Sequence, residues 1–445
     1  MSTIKKLIPQ SLILFYHKLK AIFAAYYFGF PSEKITVIGI TGTNGKTTSC
    51  NMIAKILQED GYRVGLATTI NFKIGKKEWV NETKMTTLSA WQLQSLLRRM
   101  VLAKCKYAII ETSSHAISQQ RIWGINYDIV GITNITREHL DYHHTMEEYT
   151  ATKLKLFQTF KKSKKKKGIK KISVFNLQDT SWRKLITYTR HKSYGYSLTK
   201  QSAIKLKKHP QTIFIYTSDI ELETNGSKFT INTPNYSKKF SLQIPGRFNI
   251  QNALLATCIA RSQKIKLATI KTALEKIQNI PGRLEKIDAG QNFTVYIDYA
   301  LTPDSLEKLY KDTIKPIAKQ KIIAVFGSCG DRDQGKRPIM GEIVGTYADI
   351  AILTHEDSWT EKPIDIINMI KPGLIKAGKT MNKDLYIIKD RKEAISKALK
   401  LAKKGDIVVI TGKGAETIMM YPDKKIPWNE KEIIEELLKE ILIKH

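Results

Sequence analysis

The sequence predicts an α/β protein built around two mostly parallel sheets. Short apolar runs rich in β-branched residues alternate with segments of helical periodicity. The alternation runs from residues 35–40 to 129–133 and resumes from 293–298 to 407–411. Between the two series, residues 212–242 alternate polar and apolar side chains, which predicts β-hairpins added to the first sheet.

Composition limits the classes of protein that the chain can be. Its 445 residues suffice for two or three domains with sizeable cores. The net charge of +32 permits binding to nucleic acid, to an anionic membrane or to a polyphosphate-bearing substrate. The lysines are dispersed apart from the tract at 161–171, which favours a solvated basic surface, and no specific nucleic acid is expected.

The four cysteines lie far apart in the sequence and form no C-x-x-C pair. Neither a zinc site nor a disulfide framework is therefore predicted, and a reducing cytoplasm fits best. We expect a cytoplasmic monomer.

The N-terminal segment, residues 1–34, combines an aromatic, apolar run over 21–30 with Lys18 and Lys20 just before it. The run is too short to span a bilayer, and no small-residue cleavage site follows it, so a signal peptide is not expected. Two interpretations stay open. The segment is a helix docked on the protein body, or residues 1–30 rest on a membrane surface through an aromatic face.

A glycine-rich loop follows the first predicted strand. Residues 41–48 read TGTNGKTT and lead into apolar residues at helical spacing. Gly42 and Gly45 would let backbone N–H groups approach phosphates at the helix N-terminus. Lys46 would contact the β- and γ-phosphates and the Thr47 hydroxyl would contact Mg²⁺. The strict G-x-x-x-x-G-K-[ST] spacing fails because Ile40 replaces its first glycine, so the alternative is an ordinary glycine turn.

Two further strand ends carry candidate metal ligands. Glu111 ends the strand predicted over 106–110, which is where an acid that binds metal belongs in a parallel sheet. His139 lies in a polar cluster after the next strand, although a lone histidine in that position is usually structural. Thr47, Glu111 and His139 are predicted to serve two Mg²⁺ ions together with waters and substrate oxygens.

Several motifs occur in order along the chain: GTNGKTT, MTTLSA, ETSSHAI, TNITREHLDYH, EEYTATK, IPGRFNIQNALLA, PGRLEKI, DYALTPDSLE, VFGSCGDRDQGKRPIMG and TGKGAET. Over residues 35–435 these motifs resemble the Mur ligase family, and within it the MurE branch. The resemblance implies a P-loop central ATPase domain at 35–282 and a C-terminal Rossmann-like domain at 283–445, joined near Pro281-Gly282-Arg283. It also implies an ATP-dependent, ADP-forming amide ligase of peptidoglycan precursor synthesis.

The resemblance assigns roles to individual residues. Those implied to bind ATP are Gly42, Thr43, Asn44, Gly45, Lys46, Thr47, Thr48, Asn249, Asn252, Arg283 and Asp298. Those implied to contact the substrates are Thr86, Thr87, Ser113 and Arg121 on the acyl-acceptor side, and Arg332, Asp357, Gly412 and Glu416 on the side of the incoming diamino acid. Lys46, Glu111 and His139 are implied to be catalytic, as is Lys153, which matches the family's carbamylated lysine.

The implied reaction joins a free amino acid to a UDP-N-acetylmuramoyl-dipeptide. The substrate carboxylate attacks the γ-phosphate of ATP, and the amine then displaces phosphate from the acyl phosphate. Mg²⁺ and Lys46 offset charge on the transferred phosphoryl group.

The sequence departs from the family pattern at several positions. Only 34 residues precede the first strand, in place of the family's much longer uridine-binding domain. Leu301 and Ala415 replace two family histidines, and Trp359 replaces the arginine of diaminopimelate-adding enzymes. Trp359 cannot grip a carboxylate in a bidentate manner, so a diamino acid is predicted and diaminopimelate is doubtful.

Two alternatives remain open. One is an enzyme of the same fold with another acyl acceptor, of the folylpolyglutamate or cyanophycin type, which the short N-terminal segment favours. The other is a polybasic, non-catalytic protein that binds nucleic acid or membrane. The intact G-K-T sequence, Glu111, His139 and Lys153 count against the second alternative.

Overall fold

In the computed structural model the described residues form two large sheets, each covered by helices on both faces, and one small hairpin. The structure describes residues 9–188 and 191–443, apart from the side chains of residues 140 and 141. The first eight residues of the predicted segment 1–34 and the last two of the predicted domain 283–445 lie outside the described residues. The predicted α/β class is confirmed.

The central part of the chain contributes eleven strands to one sheet. These are β1 (Thr36–Thr41), β2 (Val64–Ala67), β3 (Asn71–Ile74), β4 (Lys77–Val80), β5 (Tyr107–Glu111), β6 (Ile129–Ile132), β7 (Ile172–Asn176), β8 (Ser193–Ser197), β9 (Thr212–Glu223), β10 (Gly226–Asn232) and β11 (Ser237–Leu242). Their order is β11-β10-β9-β8-β7-β6-β1-β5-β2-β3-β4.

The middle of this sheet, from β9 to β2, is entirely parallel, whereas both edges end in antiparallel hairpins. The β9–β11 hairpins confirm the prediction for residues 212–242. The β3–β4 hairpin was not predicted, because its strands are only four residues long and largely polar.

The helices of the same part are α1 (Gln10–Tyr27), α2 (Lys46–Glu59), α3 (Ala90–Leu102), α4 (Ser114–Ser118), α5 (Leu140–His143), α6 (Met146–Lys162), α7 (Trp182–Leu185), α8 (Arg247–Ser262) and α9 (Leu267–Glu275). Apolar residues of α2, α8 and α9 form the core on one face of the sheet, and those of α3 and α6 form the core on the other. Because both faces are covered, strands such as β1 are buried along their whole length.

The C-terminal part forms a second sheet of six strands. They are β12 (Glu285–Ile287), β13 (Thr294–Asp298), β14 (Ile322–Phe326), β15 (Ile350–Leu353), β16 (Leu385–Ile387) and β17 (Ile407–Thr411), in the order β12-β13-β17-β14-β15-β16. Only β12 runs antiparallel to its neighbour. A separate small hairpin pairs β18 (Ile418–Met420) with β19 (Lys425–Pro427).

The helices around the second sheet are α10 (Pro303–Leu309), α11 (Lys315–Ile317), α12 (Lys336–Tyr347), α13 (Pro363–Lys376), α14 (Arg391–Leu401) and α15 (Glu430–Ile443). A π-helical turn, Tyr310–Ile314, joins α10 to α11. Helix α12 begins directly after the Asp333–Gly335 turn. No helix among the described residues is long and apolar enough to cross a bilayer.

Candidate active site

A cavity of about 540 Å³ lies where the carboxyl ends of the two parallel sheets face each other. Ligands bind at this end of open α/β sheets because the loops that leave the strands converge there. The wall of the cavity contains every residue predicted to bind ATP, metal or substrate except Gly42, Asn249 and Gly412. The structure therefore brings together site residues that are hundreds of positions apart in the sequence.

The glycine loop has the shape of a phosphate cradle. It joins β1 to α2, and its residues Gly42 and Gly45 have φ values of 140° and 83°. A Cβ at Gly42 would lie 1.9 Å from Thr133 Oγ1, and one at Gly45 would lie 2.2 Å from Asn252 Oδ1. Both positions therefore require glycine. No side chain caps the N-terminus of α2, and its first residues line the cavity, so this helix end is suited to an anion.

Lys46 lies at the start of α2 and faces this cradle. Its Nζ atom donates a hydrogen bond to the carbonyl oxygen of Thr43 at 2.7 Å, which folds the lysine back over the loop. The Thr43 hydroxyl lies 3.0 Å from the hydroxyl of Tyr149 on α6. Lys46 is therefore held by the loop itself, and the loop is held by Tyr149 of α6.

Thr47 and Glu111 form the oxygen-rich pair expected of a magnesium site. The Thr47 hydroxyl donates to Glu111 Oε2 at 2.9 Å, and the backbone N–H of Thr69 donates to the same oxygen at 2.9 Å. Glu111 is 2% exposed but lines the cavity. Among the side chains that the structure describes, which exclude that of Asp141, no three His, Cys, Asp or Glu residues are grouped to hold a metal ion by themselves. Mg²⁺ usually retains waters and takes only one or two carboxylates, so this donor set fits it.

His139 lies in a histidine cluster at the edge of the cavity. Its backbone has a φ of 56°, and its ring meets that of His115 edge to face, with centroids 4.7 Å apart. Burial, together with the charges of Lys153 and Lys46, lowers the pKa of His139 to about 2. The imidazole is therefore neutral at physiological pH, which is the form that can coordinate a metal.

Lys153 is a buried lysine on α6. Its Nζ atom donates to the carbonyl oxygen of Gly42 at 2.8 Å and lies 4.4 Å above the ring centroid of Tyr149. Burial and then the nearby charge of Lys46 hold the pKa of Lys153 well below its usual value. A neutral amine at this position is a nucleophile for CO₂, as the sequence interpretation requires.

Two asparagines on α8 support the glycine loop. Asn249 donates to the carbonyl oxygen of Pro245 at 2.8 Å and accepts from Asn252 at 3.3 Å. The Asn252 amide oxygen in turn accepts from the Ser49 hydroxyl on α2 at 3.2 Å. Asn252 therefore reaches the cavity wall, whereas Asn249 lies behind it and positions Asn252.

The predicted nucleotide residues of the C-terminal part meet at the end of β13. Asp298 accepts a hydrogen bond from the N–H of Leu284 at 2.7 Å. Burial raises the pKa of Asp298 to about 6, although the neighbouring Arg283 opposes the shift. The Arg283 guanidinium lies 4.3 Å from the centroid of the Tyr299 ring.

Thr87 fixes the predicted acyl-acceptor loop to the end of β5. Its hydroxyl donates to the carbonyl oxygen of Glu111 at 2.8 Å and accepts from the N–H of Ser113 at 2.9 Å. The carbonyl oxygen of Thr87 accepts from Arg121 Nη1 at 3.0 Å. Thr86, next to Thr87 in this loop, also lines the cavity.

The opposite wall carries charges of both signs. Asp357 accepts from Lys413 at 2.8 Å through Oδ1 and from Lys84 at 3.1 Å through Oδ2. Glu416 accepts from the Tyr299 hydroxyl at 3.1 Å and is paired with Lys413. Gly412 does not reach the cavity; a Cβ there would lie 2.3 Å from Glu356 Oε2, so this glycine makes room for Glu356.

Sequence reasoning missed Lys84. It belongs to the loop of the central part, has a φ of 53°, and donates to the carbonyl oxygen of Ile418 at 3.0 Å as well as to Asp357. It therefore links the two parts of the chain across the cavity. Nothing in the local sequence distinguishes it from the other lysines.

Sequence reasoning also missed Asp304, at the start of α10. Its Oδ2 atom accepts from Asn44 Nδ2 at 2.8 Å and from Thr136 Oγ1 at 2.9 Å. Asn44 belongs to the glycine loop and Thr136 to the loop after β6. We call these three residues the Asp304 clasp, because they hold the C-terminal part against the glycine loop.

Comparison with known proteins identifies relatives of both parts of the chain. The model of the Mur ligase middle domain matches residues 40–260, and the model of the Mur ligase, glutamate ligase domain matches residues 282–414.

Two curated relatives extend over nearly the whole chain. A UDP-N-acetylmuramoyl-L-alanyl-D-glutamate–2,6-diaminopimelate ligase of Clostridium tetani is 38% identical over 427 residues, which are 95% of this chain and 82% of that protein. A UDP-N-acetylmuramyl-tripeptide synthetase of Roseiflexus sp. is 36% identical over 414 residues, which are 92% of this chain and 79% of that protein.

Solved structures show the same fold. A UDP-N-acetylmuramoyl-L-alanyl-D-glutamate–2,6-diaminopimelate ligase superposes with a TM-score of 0.62 at 31% identity, covering 92% of this chain and 79% of that one. Folylpolyglutamate synthase of Mycobacterium tuberculosis superposes with a TM-score of 0.67 at 15% identity, covering 96% and 95% of the two chains. At that identity the second likeness shows the fold alone.

Proposed function

The chain belongs to the Mur ligase family of ATP-dependent ligases, and we propose that it joins a diamino acid to a UDP-N-acetylmuramoyl-dipeptide in peptidoglycan precursor synthesis. The observation that carries the proposal is the composition of one cavity. It has a phosphate cradle and an oxygen pair for Mg²⁺ on one wall, and a wall of mixed charge opposite.

The first half of the reaction uses the wall around the glycine loop. The residues present fit a nucleotide triphosphate, because Gly42 and Gly45 leave room where side chains would block the loop. Lys46 neutralises charge on the β- and γ-phosphates. Mg²⁺ bound to Thr47 and Glu111 would add positive charge at the same phosphates.

The chemistry balances as two substitutions. A carboxylate oxygen of the dipeptide attacks the γ-phosphorus of ATP, ADP leaves, and an acyl phosphate forms. The neutral amine of the incoming amino acid adds to the acyl carbon, a proton leaves, and the tetrahedral intermediate expels inorganic phosphate. Closure by the Asp304 clasp excludes water, which would otherwise hydrolyse the acyl phosphate.

We place a second Mg²⁺ near His139 and Lys153. The neutral imidazole of His139 supports a ligand role, and the depressed pKa of Lys153 supports its conversion to a carbamate. A carbamate would replace the neutral amine of Lys153 with an anionic oxygen ligand. The charge of Lys46, which disfavours a second cation at Lys153, would attract that anion.

The mixed-charge wall suits an amino acid with a second ammonium group. Asp357 and Glu416 offer carboxylates to cations, whereas Arg332 and Lys84 offer positive charge to a carboxylate. Lys84 places its own ammonium 3.1 Å from Asp357 and 3.5 Å from Glu416, which supports a cation-binding role for the two acids. Trp359 supplies no carboxylate grip, so lysine and ornithine are candidates beside the diaminopimelate named for two of the relatives.

We place this reaction in the cytoplasm, where ATP is available. The four cysteines are free thiols in the structure, as a reducing compartment would keep them.

The proposal is tested by phosphate release from the purified protein with Mg-ATP. UDP-N-acetylmuramoyl-L-alanyl-D-glutamate would be supplied with single amino acids, including lysine, ornithine and diaminopimelate, and products would be confirmed by mass. We expect release that requires both the nucleotide peptide and one amino acid, and none from the Lys46→Ala variant. Release that requires a folate or another carboxylate substrate in place of the dipeptide would contradict the proposed substrate but not the family.

A further inference from the structure

We propose that helix α1 docks this protein on an anionic lipid surface. The exposed large apolar side chains of α1 recur every three or four residues, which places them along one face of the helix. They are Leu12, Phe15, Tyr16, Leu19, Phe23, Tyr26 and Tyr27, each between 48% and 67% exposed. We call this set the aromatic stripe.

Helix α1 buries its small apolar side chains and exposes its large ones, which is the reverse of a helix that packs its largest apolar side chains into a core. The residues that it buries are Ala21, Ala24 and Ala25, all fully buried, on the side opposite the stripe. Helix α1 contacts α3, and the buried Ala25 lies beside Gly124, where an added Cβ would be 2.6 Å from the Ala25 Cβ. Packing against the body therefore uses the alanines, and the large aromatic side chains remain in contact with water. A contiguous apolar patch of this kind marks an interaction surface.

Trp91 of α3 extends the stripe sideways. It is 43% exposed, and its ring centroid lies 6.0 Å from that of Phe23 and 4.8 Å from that of Tyr27. Tryptophan and tyrosine are the side chains that concentrate at the boundary between lipid and water, because they are apolar with one polar atom. The composition of the patch therefore fits a lipid headgroup region better than a dry protein interface.

Charge specifies the kind of lipid. At 100° per residue, the exposed Lys18 and Lys20 fall on either side of the stripe. The first acidic residue of the sequence is Glu33, so no negative charge precedes or lies on α1. The whole chain carries +32. Such a surface is attracted to anionic headgroups and lies in the plane of the interface.

A second copy of the chain fits the stripe less well. Two stripes face to face would bring Lys18 and Lys20 of both copies together, and α1 has no acidic residue to pair with them. Each copy would also carry +32. Lipid offers the opposite charge, whereas a second copy offers the same one.

The test is co-sedimentation of the full chain with vesicles of phosphatidylcholine, with and without phosphatidylglycerol. The triple variant Phe15→Ser, Leu19→Ser, Tyr26→Ser removes part of the stripe. Its matched control is Ile204→Ser, Tyr236→Ser, Ile375→Ser, which changes three exposed apolar residues elsewhere. Neither set lines the catalytic cavity. All changed residues are exposed, so both variants should retain the thermal stability and phosphate-release activity of the wild type.

We expect the wild type and the control to bind the anionic vesicles, and the stripe variant to bind roughly tenfold less or weaker still. The pair Lys18→Gln, Lys20→Gln should weaken binding by about fivefold for each lysine. The proposal is overturned if the wild type does not bind. It is also overturned if the stripe variant binds as tightly as the control, since net charge alone would then explain binding.

Sedimentation velocity without lipid tests the alternative that a second copy of the chain covers the aromatic stripe. A monomer is expected. A dimer that dissociates when the stripe is changed would assign this face to a second copy and overturn the lipid proposal. Neither readout depends on catalysis, so its failure and the failure of the proposed ligase activity are distinguishable.

Discussion

Replacing Asp304 by alanine should impair the reaction without unfolding the protein. Its carboxylate accepts hydrogen bonds from Asn44 at 2.8 Å and Thr136 at 2.9 Å, and its side chain is 23% exposed. A hydrogen bond to a charged group contributes about 1.5–3 kcal/mol. Partial exposure favours the lower value, so the two bonds together stabilise the closed arrangement by about 3 kcal/mol.

Since 1.4 kcal/mol corresponds to a factor of ten, removal of the clasp shifts the closed-to-open ratio by roughly 100-fold. We therefore expect Asp304→Ala to lower kcat/KM by between about ten- and a hundredfold in the phosphate-release assay. Solution scattering in the presence of a nonhydrolysable ATP analogue should show a larger radius of gyration for this variant. Its melting temperature should stay close to that of the wild type, because no core residue changes.

Two further variants test whether the effect of Asp304→Ala comes from its contacts with Asn44 and Thr136. Glu307→Ala, on the same helix, removes an exposed ion pair with Lys311 and should change kcat/KM by no more than about twofold. Thr136→Val combined with Asp304→Ala should show a coupling free energy of about 1.5 kcal/mol. A full retention of kcat/KM in Asp304→Ala, or a coupling of zero, would refute this reasoning.

Three other changes test separate parts of the site. Lys46→Ala should lower ADP formation at least about 100-fold by removing charge from the phosphate cradle, and substantial residual turnover would contradict that role. Lys153→Ala should be inactive and regain part of its activity with short carboxylates; a complete lack of rescue would argue against a carbamate. Burial raises the pKa of Glu356 to about 7, above its unfolded value, so the folded state binds the extra proton. The free energy of unfolding should therefore fall as pH rises from about 4.5 to about 7. Urea unfolding of Glu356→Gln should not show this fall. The same fall in that variant would contradict the assignment to the Glu356 carboxyl.

Local patterns predict the parts of the site that lie within one strand–loop–helix unit. The glycine loop, Lys46 and Thr47 follow from adjacent residues, because a phosphate cradle is built from consecutive backbone N–H groups. Glu111 is predicted for a similar reason, since the carboxyl ends of neighbouring parallel strands meet at one edge. The apolar runs of the strands are equally local signals, which explains why the fold class follows from the sequence.

Contacts between distant segments cannot be predicted in this way. Asp304 is 260 residues from Asn44, and Lys84 is 273 residues from Asp357. Their roles arise from how the two sheets face each other, which no periodicity encodes. Gly412 illustrates the same limit. Its motif predicts a contact with the substrate, whereas in the structure its Cα faces Glu356.

Helix α1 shows a different limit. Its apolar spacing predicts a helix, and a helix docked on the body is present. Periodicity alone does not say which face turns inward, because small alanines and large aromatics are both apolar. Only the burial of Ala21, Ala24 and Ala25 in the folded chain shows that the aromatic stripe is left outside.

The proposed acyl phosphate is tested most directly by following oxygen. The D-glutamyl side-chain carboxylate of UDP-N-acetylmuramoyl-L-alanyl-D-glutamate would be labelled with ¹⁸O, and the reaction run with Mg-ATP and the accepted amino acid. The proposed mechanism predicts that one labelled oxygen appears in each inorganic phosphate released, because that oxygen attacks the γ-phosphorus. Amide product accompanied by unlabelled phosphate would contradict carboxylate activation at this site.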